Sequence, residues 1–338
     1  LIDETGRVLW SRHPNLELAN ASTTKMVTAL VAVEADDGEV VTISRQAAST
    51  GGGGPQLRAG DRFSVPQLLA ALLMASSNDA AVALAEHVSG SEEAFVREMN
   101  LTARRLGATG THFVNPHGLD AAGHYSTAHD LALFGRALLE EPLLAAIVRR
   151  RSLALPTEAG RERFENTNLL LEGYPGAIGI KTGYTIAAGN MLVGAARRDG
   201  RTLISVVMHS EDSFVDSERL LDYGWAKLRR RVLLPAGAEV AAIVFDPGGS
   251  TTAVASRDVV GSALQGEVTI AFESIETSTS PEEGGRVGTV NVSVAGDQIA
   301  AVPAIADRGV PPDPHRGLIV RILEWLLLVG SRVIPEPA

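Results

Sequence analysis

The sequence predicts an α/β or α+β domain, helices around an antiparallel sheet, followed by a small all-β domain. Three observations carry that expectation. Apolar residues recur at helical spacing through most of the first two thirds of the chain. MLVGAARRDGRTLISVVMHS then reads as a hairpin, two apolar strands about a polar turn at Arg198, Asp199 and Gly200. After Leu234-Pro235-Ala236-Gly237 the helical spacing stops and strand-like runs replace it. Helices set beside an antiparallel sheet are a stable layer arrangement. A length of 338 residues suits two domains, and 45% hydrophobic residues can fill their cores. The expected divisions are 1–234, a β-rich part at 235–312, and an amphipathic segment at 313–338.

In chain order, LIDETGRVLW reads as a strand and turn, with no basic or apolar leader ahead of it. The run Thr24 to Glu34, TKMVTALVAVE, lacks Gly and Pro and reads as a buried helix. Ser22 or Thr23 is its expected N-cap, since a hydroxyl can accept from the orphan N–H groups. FSVPQLLAALLMAS, DAAVALAEHVSG, EEAFVREMNLTARRLG and TAHDLALFGRALLE are further helices, the last with Thr127 and Asp130 as a capping box. In the β-rich part EVAAIVF, EVTIAFESI, VGTVNVSV and QIAAVPAIA are strands. Val290, Val292 and Val294 alternate with polar residues, and STSPEEGG (278–285) is a loop.

Composition removes several function classes. A formal net charge of −10 argues against nucleic acid as a partner. The absence of cysteine excludes disulfides, thiolate zinc sites and a cysteine nucleophile. Gly51 to Gly54 lacks the following Lys-Ser/Thr of a phosphate loop and is expected to be a flexible loop. His112, His117, His124 and His129 do not form H-E-x-x-H, so no metal or other cofactor is expected.

Chemistry enters at ASTTKM. A cation in the first turn of a helix meets the positive end of the helix dipole and is a poor structural choice. Ser22 and Lys25, three residues apart, share one helix face. Dipole and burial lower a lysine pKa, so a neutral amine can take the serine proton. Two more triplets follow, Ser76-Ser77-Asn78 and Lys181-Thr182-Gly183. Alone, the first is a helix N-cap and the second a strand end. Together they supply a hydrolase: Ser22 attacks, Lys25 accepts its proton, Ser76 relays a proton and Asn78 positions a substrate amide. Lys181 and Thr182 offer a cation and a hydroxyl to a carboxylate. S-x-x-K, S-x-N and K-T-G in that order are the signature of penicillin-recognising serine enzymes.

The chain resembles the low-molecular-mass penicillin-binding proteins that act as D-alanyl-D-alanine carboxypeptidases. The likeness runs through ASTTKM, RAGDRFSVPQLLAALLMASSNDAAVALAE, FVNPHGLDAAGHYSTAHDLA, GIKTGYT and GRVGTVNVSVAGDQIAAVPAIA. It implies a penicillin-recognising serine transpeptidase-like catalytic domain, a β-rich domain and a C-terminal amphipathic membrane anchor. It also implies an oxyanion hole from the backbone N–H groups of Ser22 and Tyr184, substrate binding by Lys181, Thr182 and Gly183, and peptidoglycan stem peptides ending in D-Ala-D-Ala as substrate. β-Lactams are the expected covalent inhibitors, and the expected place is extracytoplasmic. Asn20 stands where the family usually has Pro, and Ser77 where Gly is usual. HSEDSFVDSERLL lacks the basic residue that many relatives carry.

Two other readings compete. A serine β-lactamase needs a glutamate for its deacylating water, and Glu165 in FENTNLLL is the sole candidate, in the wrong order. A catalytically silent penicillin-binding sensor or scaffold is opposed by the complete triplets. At the tail, Leu318 to Val329 covers roughly 18 Å as a helix, short of a membrane core of about 30 Å. With Arg316, Arg321 and Trp325, residues 317–330 are expected to lie on a membrane surface.

Overall fold

The computed structural model describes residues 1–310 except 158–159, 199, 229–230, 247–248, 264–266, 276–280 and 295, together with Ile319–Arg321. The chain divides into two compact units, Leu1–Gly224 and Trp225–Ala338. The division falls inside a helix, upstream of the Leu234-Pro235 punctuation.

In the first unit, β1 (Ile2–Asp3) precedes a 3₁₀ turn (Ala21–Thr24) and helix α1 (Lys25–Glu34). Then come β2 (Val40–Thr42), α2 (Arg45–Ser49), β3 (Arg62–Ser64) and the helices α3 (Val65–Met74), α4 (Asn78–Ser89), α5 (Glu92–Arg105), α6 (Ala128–Glu140) and α7 (Pro142–Val148). The hairpin β4 (Ser152–Thr157) and β5 (Gly160–Glu165) leads to α8 (Leu170–Gly173). The strands β6 (Ala177–Thr185), β7 (Gly189–Arg198) and β8 (Arg201–Ser210) follow, then α9 (Ser213–Lys227). The main sheet is antiparallel in the order β1-β8-β7-β6. The expected hairpin is β7–β8, with Arg198 opposite Arg201.

α1 is the central helix. It packs against α3, α4, α5 and α6, and seven of its residues, Lys25 to Ala29 with Val31 and Ala32, are buried. Burying each aliphatic side chain contributes about 1.5–3 kcal/mol, so the helix that opens with Lys25 is held rigidly. α6 rests on β7 and β8, α7 on β6, and β6 in turn lies against the 3₁₀ turn.

Two caps differ from the sequence expectation. Neither Ser22 nor Thr23 caps α1. Both lie inside the 3₁₀ turn, where the Thr23 hydroxyl donates to the Asn20 carbonyl. Thr24 flanks the helix without a side-chain cap bond. The tighter turn brings Ser22 Oγ to Lys25 instead of to the helix N–H groups. At α6, Thr127 accepts from Asp130 N at 3.1 Å, but the Asp130 carboxylate accepts from Gly110 N and Thr111 Oγ1, both at 2.8 Å, so the reciprocal half of the box is spent on the preceding loop. Ser77 caps α4, accepting from Ala80 N at 3.1 Å.

The second unit is built on one six-stranded antiparallel sheet and one two-stranded sheet. β9 (Arg231–Leu234) pairs with β12 (Val259–Gly261). β10 (Glu239–Asp246), β11 (Gly249–Ala255), β13 (Val268–Ser274), β14 (Arg286–Val294), β15 (Asp297–Ala306) and β16 (Ile319–Arg321) lie in the order β13-β14-β15-β11-β10-β16. Val290 and Val292 are buried and Val294 is half-buried, as the alternation requires. Pro281 to Gly285 form a turn, and the rest of STSPEEGG lies outside the described residues. Of the expected 317–330 helix only Ile319–Arg321 fall inside them, as a strand whose Val320 opposes Phe245. Residues 311–318 and 322–338 lie outside. Among the described residues no helix is long and apolar enough to cross a membrane.

Candidate active site

Three chain segments meet in a cleft of about 440 Å³. The 3₁₀ turn and α1 bring Ser22 and Lys25, the α3–α4 junction brings Ser76 and Asn78, and β6 brings Lys181 to Tyr184. Ser22, Ser76, Asn78, Thr182, Gly183 and Tyr184 all line it. The structure therefore brings together every site residue expected from the sequence, with the two lysines beneath the cleft wall.

The approach is close because two glycines permit it. Gly118 has φ +89°, and a Cβ there would stand 1.9 Å from the Ala21 carbonyl oxygen. Only glycine lets the Asn115–Asp120 loop lie on the 3₁₀ turn that carries Ser22. A Cβ on Gly183 would stand 3.3 Å from the backbone nitrogens of Ser22 and Thr23, so β6 passes tightly beside the serine. Non-glycine residues also take unusual backbone here: Ala21 has φ 43° and Ser76 φ 63°. L-residues held in that region cost of order 1–3 kcal/mol each, and such positions cluster at functional sites.

Lys25 Nζ donates to Ser22 Oγ at 2.9 Å and to the His117 carbonyl at 2.6 Å. The lysine is fully buried. Burial first, and the Lys181 charge second, push its pKa well below the ordinary lysine value. When the amine is neutral, the Ser22 hydroxyl can donate to its lone pair, and the serine is then poised to lose its proton. Lys181 Nζ donates to Ser76 Oγ at 3.1 Å and to the Thr182 carbonyl at 3.0 Å. Burial lowers its pKa to about 7.

These residues and spacings carry a family's pattern. A family model described as D-alanyl-D-alanine carboxypeptidase matches residues 1–212. The chain belongs to that family. It is a serine-type peptidase. A D-alanyl-D-alanine carboxypeptidase of Bacillus subtilis is 35% identical over 72% of this chain and 66% of its own length. One from Escherichia coli is 31% identical over 96% of this chain and 86% of its own length. Among solved structures, penicillin binding protein 5 from Haemophilus influenzae has a TM-score of 0.65 at 28% identity, covering 91% of this chain and 95% of that one.

Other features that the sequence singled out in this carboxypeptidase have their own places in the structure. The Gly51–Gly54 run is packed against the α3–α4 junction, all four residues at positive φ, and Gly51 O accepts from Asn78 Nδ2 at 2.9 Å. The four histidines serve separate local bonds. His124 Nδ1 accepts from Val114 N, so its Nε2–H donates to Thr24 Oγ1 at 2.8 Å, which in turn accepts from Asn20 Nδ2. Burial holds His124 and His117 neutral, with pKa values of about 4. His112 bonds the Gly123 carbonyl, and His129 lies beside Asp130. Glu165, the β-lactamase candidate, is exposed on β5, accepts from Arg163 Nε at 2.8 Å, and is absent from the cleft wall. Two contributors escaped the sequence reading. The His117 carbonyl holds Lys25, and its signal was the FVNPHGLD block. Thr167 hydrogen-bonds Thr182 at 2.7 Å, and only a polar run, ENTN, marked it.

Proposed function

We propose that this carboxypeptidase removes the terminal D-Ala from peptidoglycan stem peptides through an acyl-enzyme on Ser22. The observation that carries the reading is the buried Lys25 amine 2.9 Å from Ser22 Oγ. Neutral Lys25 takes the serine proton as Oγ attacks the carbonyl between the two D-Ala residues. The charge that develops on the carbonyl oxygen is met by the backbone N–H groups of Ser22 and Tyr184. Lys25 and the Ser76–Lys181 pair return a proton to the departing amine, the C–N bond breaks and D-Ala leaves. Water then attacks the ester, gives up its proton by the same route, and frees Ser22 as the shortened peptide departs. Asn78 holds the substrate amide, and Lys181 with Thr182 and Gly183 holds the terminal carboxylate and strand-pairs the peptide. No cofactor takes part in these steps. All the roles fall within 1–234, the proposed catalytic domain, ahead of the β-rich part at 235–312.

β-Lactams acylate the same serine, a reading supported by the penicillin-binding name of the Haemophilus relative. The enzyme works outside the cytoplasm, where its substrate lies. The apolar tail with Arg316, Arg321 and Trp325 holds it at the membrane surface.

The test is mass spectrometry with benzylpenicillin beside an assay of D-Ala release from a diacyl-Lys-D-Ala-D-Ala peptide. The expected result is one covalent adduct, mapped to Ser22 and lost in Ser22→Ala, together with D-Ala release. An adduct on Ser76, or one that persists in the Ser22→Ala protein, contradicts the assignment.

A further inference from the structure

The residues lining the cleft carry no formal charge, and the two lysines lie buried behind them. The segment after β8 contributes Ser213 and Phe214 to that wall, neither of them basic. Recognition of a terminal carboxylate therefore depends on a few donors, and the direction in which each hydroxyl points matters.

A hydroxyl has one proton and two acceptor lone pairs. Thr182 can give its proton to a carboxylate only if nothing else in the protein has claimed it. Thr167 Oγ1 lies 2.7 Å from Thr182 Oγ1 and lines the same cleft. Its backbone is fixed. Thr167 N donates to the Met74 carbonyl at 2.9 Å, tying it to the end of α3. The preceding Asn166 is buried, with Nδ2 donating to the Val148 and Arg150 carbonyls at 3.2 and 2.9 Å and Oδ1 accepting from Asn168 N at 3.0 Å. Thr167 is thus an exposed hydroxyl on a rigid base, aimed at the threonine of K-T-G.

We propose that Thr167 is a positioning residue for substrate recognition. Its hydroxyl donates to Thr182 Oγ1, which leaves the Thr182 proton free for the substrate's terminal carboxylate. A donor that is itself an acceptor of a hydrogen bond is polarised and binds an anion more strongly. The inference rests on the reading of Lys181 and Thr182 as the carboxylate site.

The experiment measures kcat/KM for diacyl-Lys-D-Ala-D-Ala and for its C-terminal amide, in the wild type, Thr167→Val, Thr167→Ser, Thr182→Val and the Thr167→Val/Thr182→Val double variant. The quantity read is the acid-to-amide ratio. Thr167→Val should lower it about two- to tenfold, the worth of one neutral hydrogen bond. Most of that loss should appear in KM for the acid. Thr167→Ser should restore the ratio. In the Thr182→Val background Thr167→Val should change nothing further, as expected when one residue acts through the other. An unchanged or raised ratio in Thr167→Val, while Thr182→Val loses discrimination, overturns the inference and leaves the carboxylate reading standing. Equal losses on acid and amide also overturn it, because they mark a structural role. If Thr182→Val keeps the wild-type ratio, the carboxylate reading fails and the inference falls with it.

Discussion

Two places in the first unit bury charge, and they do it in opposite ways. Near β1, Asp3 is fully buried and its carboxylate is saturated. It accepts from Thr5 N at 3.0 Å, Thr5 Oγ1 at 2.6 Å and Arg7 N at 3.2 Å, with Arg7 Nη2 at 2.7 Å and Arg201 Nη2 at 3.6 Å. Arg201 Nε also meets Glu4 at 2.5 Å. At the cleft, Lys25 and Lys181 are equally buried, yet among the described residues neither has a carboxylate within ion-pair distance. The first cluster is electrostatically closed, so its job is to hold the strand edge. The second leaves two like charges facing neutral hydroxyls and carbonyls. That arrangement costs stability and favours the neutral form of the amines, which the proposed base for Ser22 needs.

The largest expected break of this comparison is at Lys25. Lys25→Met should lower the acylation rate by benzylpenicillin about 10²–10⁴-fold, the usual worth of general-base catalysis. It should also raise Tm, because a group whose pKa is depressed by burial opposes folding. A fall in Tm would show that the lysine is a structural group.

Asp3→Ala is the mirror experiment. It removes one carboxylate that Thr5, Arg7 and Arg201 share at the start of β1, and should cost about 2–4 kcal/mol in urea unfolding, somewhat less than a fully buried pair since both arginines are part-exposed. kcat/KM should stay at the wild-type value. A matching loss of activity would couple the two clusters and end the contrast.

A smaller effect should appear with pH. The Lys181 pKa falls from 10.5 to about 7 on folding, so between those values the unfolded chain binds more protons and stability rises with pH. The contribution has a limit of roughly 1.4 kcal/mol per pH unit. Urea unfolding at pH 7 and pH 9 should show the rise in the wild type and a flatter profile in Lys181→Met. Binding has the other sign. The charged lysine attracts a carboxylate below about pH 7, so KM for the acid substrate should climb as pH rises through that value, while KM for the amide should not. Equal pH profiles for the two substrates would remove Lys181 from carboxylate recognition.

The smallest effect on catalysis is expected from the tail, which holds neither cluster. Deleting residues 315–338 should abolish co-sedimentation with liposomes and leave D-Ala release from a soluble peptide unchanged. Retained co-sedimentation would sink the membrane-surface reading.

Much of the architecture was legible because periodicity is local. The buried α1, the amphipathic α5 and α6, and the β7–β8 hairpin follow from spacing that any window of the chain displays. β11 (GSTTAVA) was not legible, since small and polar residues dilute its alternation, and its pairing with β10 and β15 supplies what the local pattern lacks. The N-caps split the same way. Ser77 could be anticipated, whereas the failure of Ser22 and Thr23 to cap α1 depends on the 3₁₀ turn in front of it.

The sequence by itself determined the chemical inventory and one piece of geometry. Ser22 and Lys25 are three residues apart at a helix start, and that spacing, wound as a 3₁₀ turn into α1, puts the hydroxyl within reach of the amine. The surroundings of the pair came from tertiary structure. Lys25 is buried by the helices around α1 and is held by a carbonyl 92 positions away. Lys181 meets Ser76 across 105 positions. Thr167 meets Thr182 only because the segment before α8 is pinned to the end of α3. A pKa depends on burial and on neighbours that chain spacing does not reveal, so the sequence could point to Lys25 as the proposed base while only the fold could lower its pKa.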